Sequence, residues 1–171
     1  MKTLYPGHTR AGSAMTEFFL EAFRLRGALI DAGDRISRPL GLTAARWQVL
    51  SSVARAPQPS PVAHIARELG LARQSVQRLT DHLVTEGLLD YRDNPHHRRA
   101  PLVMITSRGK KVFDQLTLRQ VHWVNALSSH VNIEAIEATV GLMRSLVRRL
   151  KSEGKQAPPP LKRRRPRKRA K

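Results

Sequence analysis

The chain has 171 residues, enough for one substantial domain with a tail and too few for two ordinary ones. It carries 31 Lys+Arg against 13 Asp+Glu, a formal +18 at pH 7 that favours a polyanionic partner, and no cysteine, which excludes disulfides, thiol-based peroxide sensing and cysteine-zinc sites. No apolar run reaches bilayer length and the N-terminus lacks a signal-peptide core, so the sequence predicts a soluble, cytoplasmic protein with no membrane partner.

In chain order, residues 1–14 hold Pro6, Gly7 and Gly12 without periodicity and read as a flexible arm. Within 15–40, Met15, Phe18, Phe19, Ala22, Leu25, Leu29 and Ile36 fall on one helical stripe. Gly33 on the same side permits close approach, and Pro39 and Gly41 end the segment. Thr43 can cap a second helix in which Trp47, Leu50 and Val53 share a face.

After the Pro-containing loop 56–60, Pro61 stands at a favoured first-helix position with the Ser60 hydroxyl as its cap. Val62, Ile65, Ala66 and Leu69 follow at helical spacing, Gly70 ends the helix, and Leu71 supplies a contact across the turn. A further helix beginning at Ala72 or Arg73 buries Ala72, Val76, Leu79 and Leu83 and stops at Gly87. Its other face carries Gln74, Gln77, Arg78, Asp81 and Thr85, none of which a core requires. Strands over 88–92 and 101–105 flank a turn that holds His96, His97, Arg98 and Arg99. Helix, turn, helix and hairpin make a winged helix-turn-helix over 42–106, in a fold that is mainly α with a small β-wing.

Thr106 can cap a helix bearing Val112, Leu116, Trp123 and Leu127, and Asn132 starts another with Glu134 in its first turn. Ile133, Ile136, Val140, Met143, Val147 and Leu150 recur at spacings of three and four, the seam of a helix packed on a helix. N- and C-terminal dimerisation helices over 15–40 and 107–153 therefore flank the central module. Gly154 and Pro158-Pro159-Pro160 close the last helix. Half of the net charge sits in nine Lys/Arg from Lys155 to Lys171, so 154–171 reads as a disordered basic tail that adds affinity without specificity.

Three stretches carry a family resemblance: Glu86-Gly87-Leu88-Leu89, Asn94-Pro95-His96-His97-Arg98-Arg99-Ala100 and Ile105-Thr106-Ser107-Arg108-Gly109. Together they resemble the wing of MarR-type bacterial transcription regulators. Gly41-Leu42-Thr43, with Trp47, Val49 and Leu50 behind it, is similar to the family's entry into the motif. The likeness runs roughly from Met15 to Leu150. His97 stands where the family usually has an aspartate, and Ala72 where a serine or threonine usually caps the recognition helix. The resemblance implies a homodimer formed by interdigitated first and last helices, bound to a pseudo-palindromic operator as a ligand-responsive repressor. Phe18, Phe19, Ile133, Ile136, Val140, Met143, Val147 and Leu150 would lie in that dimer interface.

The side chains suit double-stranded DNA. Gln74 and Gln77 match adenine, Arg78 matches guanine, and Ser75 can bond phosphate or base edges. Arg73, near the helix start, points to phosphate. Arg92, His96, His97, Arg98 and Arg99 suit phosphates or a narrow minor groove. Asp81 reads as the structural partner of an arginine. Phe19, Phe23 and Trp47, with Arg46 or Arg26, could hold the small aromatic or phenolic anion that the resemblance implies, or could be ordinary core aromatics beside surface arginines. The seven histidines include no His-x-x-x-His pair, so neither metal nor cofactor is expected. No nucleophile motif, glycine-rich phosphate loop or paired carboxylates points to an enzyme. The alternative function is an architectural, largely non-specific DNA-binding protein using the wing and basic tail.

Overall fold

The fold is that of a computed structural model, and it describes residues 5–153 apart from His96 and Arg98. The basic tail and those two wing residues lie outside the described set. The chain divides into two units, Met1–Asn125 and Ala126–Lys171.

The first unit contains α1 (Arg10–Ser37), a 3-10 turn (Arg38–Leu40), α2 (Ala44–Arg55), β1 (Ser60–Pro61), α3 (Val62–Leu69), α4 (Arg73–Thr85), β2 (Leu89–Arg92), β3 (Leu102–Ile105) and most of α5 (Ser107–Ser128). The strands form one antiparallel sheet in the order β1-β3-β2, with Leu89 opposite Ile105, Arg92 opposite Leu102, and Ser60 opposite Val103. The protein is mainly helical with a small sheet, as the sequence predicts.

Several boundaries differ from the sequence reading for local reasons. Helix α1 begins at Arg10, inside the segment read as an arm, because Thr9 Oγ1 accepts the Gly12 amide at 3.0 Å and closes the first turn. Ser60 does not cap α3. It pairs in the sheet as part of β1, and Pro61 precedes the helix with no side-chain cap. Ala72 is exposed rather than buried. Thr80 takes the inward position instead, fully buried, with its hydroxyl donating to the Val76 carbonyl at 2.8 Å.

The core lies under the helix-turn-helix. Val49 and Leu50 of α2 meet Ile65 of α3, Val76 and Leu83 of α4, Val103 of β3 and Leu116 of α5, all essentially inaccessible. Each such side chain contributes about 1.5–3 kcal/mol by leaving water. Gly70 adopts φ +66°, and the amides of Gly70 and Leu71 both donate to the Ala66 carbonyl, fixing the turn from α3 into α4. On α1, Gly33 lets α2 approach closely: a Cβ there would sit 2.8 Å from the Ala44 Cβ.

In the second unit, the Asn132 side chain accepts the Ala135 amide at 2.7 Å and starts α6 (Ile133–Glu153). No residue of α6 is buried, and Ile133, Val140, Val147 and Leu150 are 37–66% exposed. Among the described residues, no helix is long and apolar enough to cross a membrane.

Candidate nucleic-acid interface

The periodicity of α4 decides what faces outward. Val76, Thr80 and Leu83 point into the core, which turns Arg73, Gln74 and Arg78 to solvent and leaves Gln77 half-buried. Arg73, Gln74, Gln77 and Arg78 border an open concavity of about 550 Å³. Ser75 is exposed beside them. Ala72 precedes the helix with no side-chain cap, so the first amides of α4 stay available to an outside acceptor such as phosphate.

Arg78 has no acidic partner among the described residues, and neither do Arg73, Arg92 or Arg99. Arg92 is exposed at the end of β2, and His97 and Arg99 are exposed in the wing turn. The Asn94 amide nitrogen donates to the Ala100 carbonyl at 2.9 Å and closes the base of that turn.

Gln77 and Asp81 have firmer partners than the sequence indicates. Among the described residues, Asp81 has no arginine partner. Its Oδ1 accepts the Tyr91 hydroxyl at 2.7 Å and the Gln77 amide nitrogen at 2.9 Å, and that nitrogen also donates to the Tyr91 oxygen at 2.7 Å. Burial, reinforced by donation to the Asp81 carboxylate, holds the Tyr91 phenol proton far above the ordinary tyrosine range. The triangle ties the recognition helix to strand β2. Tyr91 was not foreseen because its role depends on an antiparallel register that the sequence does not specify.

A larger open trough of about 1170 Å³ lies between α3 and the wing, bordered by Arg55, His64, Arg67, Arg73, His97 and Arg99. Its one acid, Glu68, accepts the Ser52 hydroxyl at 2.8 Å. Arg55, His64 and Arg67 were missed by sequence reasoning. Each sits on a polar helical face that looks solvated until the fold sets it beside the wing.

The residues read as an effector site do not all converge. Trp47 lines a cavity of about 210 Å³ with Leu29, Gly33, Ile36, Trp123 and the polar Gln48, Ser51, Arg55 and Gln120. Arg46 points elsewhere: it is paired with Glu86 and donates to the Gly41 carbonyl at 3.0 Å. The arginine at this cavity is Arg55, not Arg46 or Arg26. Phe23 is 72% exposed, and Phe19 stacks edge-on against Phe18. Among the described residues, no three His, Asp or Glu side chains converge as a metal site.

Comparison with known proteins matches this geometry. The sequence profile described as MarR family fits residues 40–100. An uncharacterized protein of Mycobacterium tuberculosis is 38% identical over 133 residues, 78% of this chain and 92% of the relative. The fold is shared with Staphylococcus aureus MarR, solved with salicylate and kanamycin: TM-score 0.71, 15% identity, covering 82% of this chain and 94% of that one. It is shared also with CouR from Rhodococcus jostii bound to p-coumaroyl-CoA: TM-score 0.67, 21% identity, covering 77% of this chain and 90% of that one.

Proposed function

Because the chain belongs to the MarR family of transcription regulators, which are not enzymes, we propose that it works as a homodimeric repressor on a pseudo-palindromic operator and is released by a small aromatic acid. The observation that carries this reading is that the α4 concavity and the basic trough share Arg73 as a bordering residue. A base-reading helix face beside four arginines and two histidines suits one strand of a DNA duplex. Arg78 and Gln74 reach base edges, while Arg55, Arg67, Arg73 and Arg99 bond the phosphates that hold the helix in register.

Two copies are needed because one recognition helix reads only half of an operator. The exposed apolar residues of α1, including Leu20, Phe23 and Leu25, and those of α6 from Ile133 to Leu150 support this stoichiometry. A second copy would cover them, and the hydrophobic effect is the natural driving force.

The cavity beside Trp47 and Trp123 suits a planar aromatic ring, and Arg55 and the two glutamines suit a carboxylate. Arg55 borders both this cavity and the basic trough. A ligand carboxylate that engages Arg55 withdraws it from phosphate, which gives the ligand the differential affinity needed to shift the DNA-bound population. The test is selection of bound sequences from random DNA, followed by titration of the selected site with and without salicylate. A two-fold-symmetric consensus that salicylate weakens supports the reading. A random selected pool overturns it in favour of an architectural role.

A further inference from the structure

We propose that Arg46 is a positioning residue for operator recognition: through Glu86 it fixes the recognition helix to the end of α1, and so sets the spacing at which two half-sites are read. The inference rests on the homodimeric reading and adds the group that holds the two recognition helices at one separation.

Arg46 belongs to the first turn of α2, where Thr43 Oγ1 accepts its amide at 3.3 Å. Its guanidinium reaches two other elements. Nη1 is paired with Glu86 Oε1, and Nη2 donates to the Gly41 carbonyl at 3.0 Å. Glu86 is the C-cap of α4, so the Arg46 cation also stands near the negative end of that helix's dipole. Gly41, at φ +74°, ends the 3-10 turn that follows α1. The same corner is bound twice more to the last turn of α1. Asp34 Oδ1 accepts the Ala44 amide at 2.6 Å, and the buried Ser37 hydroxyl donates to the Leu42 carbonyl at 3.0 Å. A run of directional bonds thus leads from Asp34 and Ser37 to the corner, and Arg46 carries it across to α4.

Helix α1 also exposes Leu20, Phe23 and Leu25, the surface that a second copy would cover. The position of α4 relative to α1 therefore decides where each recognition helix stands about the two-fold axis. Packing of Val76 and Leu83 against Val49 and Leu50 holds α4 close, but apolar contact is non-directional. The bonds of Arg46 fix the angle. Helix α4 has 13 residues and is ~20 Å long, with Arg73 at the end opposite Glu86. A tilt of ~10° about the Glu86 end moves Arg73 by ~3.5 Å, about one base-pair step. Small freedom at that end becomes tolerance of a wrong spacing. Arg46 borders neither the α4 concavity nor the basic trough, so it acts through Glu86 and not on DNA.

Spacing is a readout that a merely stabilising ion pair would leave unchanged. Selection with wild type gives the half-site, and duplexes are then made with the spacer unchanged, one base pair shorter or one longer. Affinities are measured for wild type, for Arg46→Met, which keeps an apolar stem, and for Glu86→Ala, which removes the same link from its other side. Wild type should lose roughly tenfold on either altered spacer, the cost of a mismatched pair, and each variant only about threefold. The double variant should match the single ones, because each lacks the same link. The half-site consensus should stay the same throughout, which shows that α4 remains folded. Variants that keep the wild-type spacer profile overturn the inference. So does a uniform loss on all three duplexes, which assigns the pair to stability alone. A wild type that selects a single half-site, or no consensus, overturns the homodimeric reading instead.

Discussion

Gly109 is pressed against the carbonyl of Leu88, so that a Cβ on Gly109 would overlap the Leu88 oxygen. The same carbonyl accepts the Thr106 amide at 3.1 Å, while Thr106 Oγ1 donates to the Gly87 carbonyl at 2.7 Å and accepts the Gly109 amide at 2.9 Å. The run Thr106-Ser107-Arg108-Gly109 is thus the joint that seats the first turn of α5 on the entry to the wing. Gly109→Ala gains about 1 kcal/mol in helix propensity but must push α5 away from β2, and backbone displacement of that kind costs about 1–3 kcal/mol or more. The expected outcome is net destabilisation by about 1–2 kcal/mol in urea denaturation. A neutral or stabilising result would mean the contact relaxes freely.

That joint illustrates what the sequence makes legible. Glycines at special backbone positions, caps such as Thr43 and Thr106, and the period of α2 to α5 are local signals, and each corresponds to an observed element. The third strand was not legible, because two residues, Ser60 and Pro61, gain strand character only from their partners on β3. The start of α1 was obscured by Gly7 and Gly12, which suggest a loop, although Thr9 caps a helix that includes Gly12. Site residues divide in the same way. The outward face of α4 follows from its period, whereas the tie from Gln77 and Asp81 to Tyr91 depends on tertiary placement. Arg46 shows the converse error, since an arginine near a tryptophan in sequence is engaged by Glu86, forty positions along.

The Tyr91 tie predicts a pH signature. The phenol's folded pKa is raised above its unfolded value of about 10, mainly by burial and also by Asp81. The protonated form is the one the fold favours, so its contribution is fully present below pH ~10 and is lost as pH rises above that. Tyr91→Phe should cost about 1 kcal/mol at pH 7, the net worth of a hydrogen bond to a partly exposed carboxylate. The gap between wild type and variant should be constant from pH 6 to ~9 and shrink above pH ~10. Guanidinium denaturation of both proteins across that range checks this. A gap that widens at high pH would contradict the assignment.

Val140→Glu addresses the dimer. Val140 is 37% exposed on α6, in line with Ile133, Ile136, Val147 and Leu150. A carboxylate there costs little in an isolated chain but several kcal/mol in a dry interface. Sedimentation should show a dimer for wild type and a monomer for the variant, with operator affinity lost in parallel. A variant that remains a dimer would remove Val140 from the interface.

Arg78 and Arg67 should separate specificity from affinity. Arg78 projects from α4 beside Gln74 and Gln77, where it can form a bidentate pair with guanine. Its replacement by alanine is expected to cost ~1–3 kcal/mol on the selected operator and much less on random DNA, so the ratio between the two falls. Arg67 lies on α3 in the basic trough, away from that concavity, and a phosphate is the only anionic partner a bound duplex would bring to it. Arg67→Ala should weaken both DNAs by the same factor. It should also flatten the plot of log K against log salt by ~0.9 per lost contact, or about 2 for the two subunits of a dimer. Salt titrations of the wild type and both variants on both duplexes decide the matter. An unchanged slope for Arg67→Ala would place the phosphate backbone outside the trough, and equal losses on both DNAs for Arg78→Ala would assign it to phosphate instead of a base.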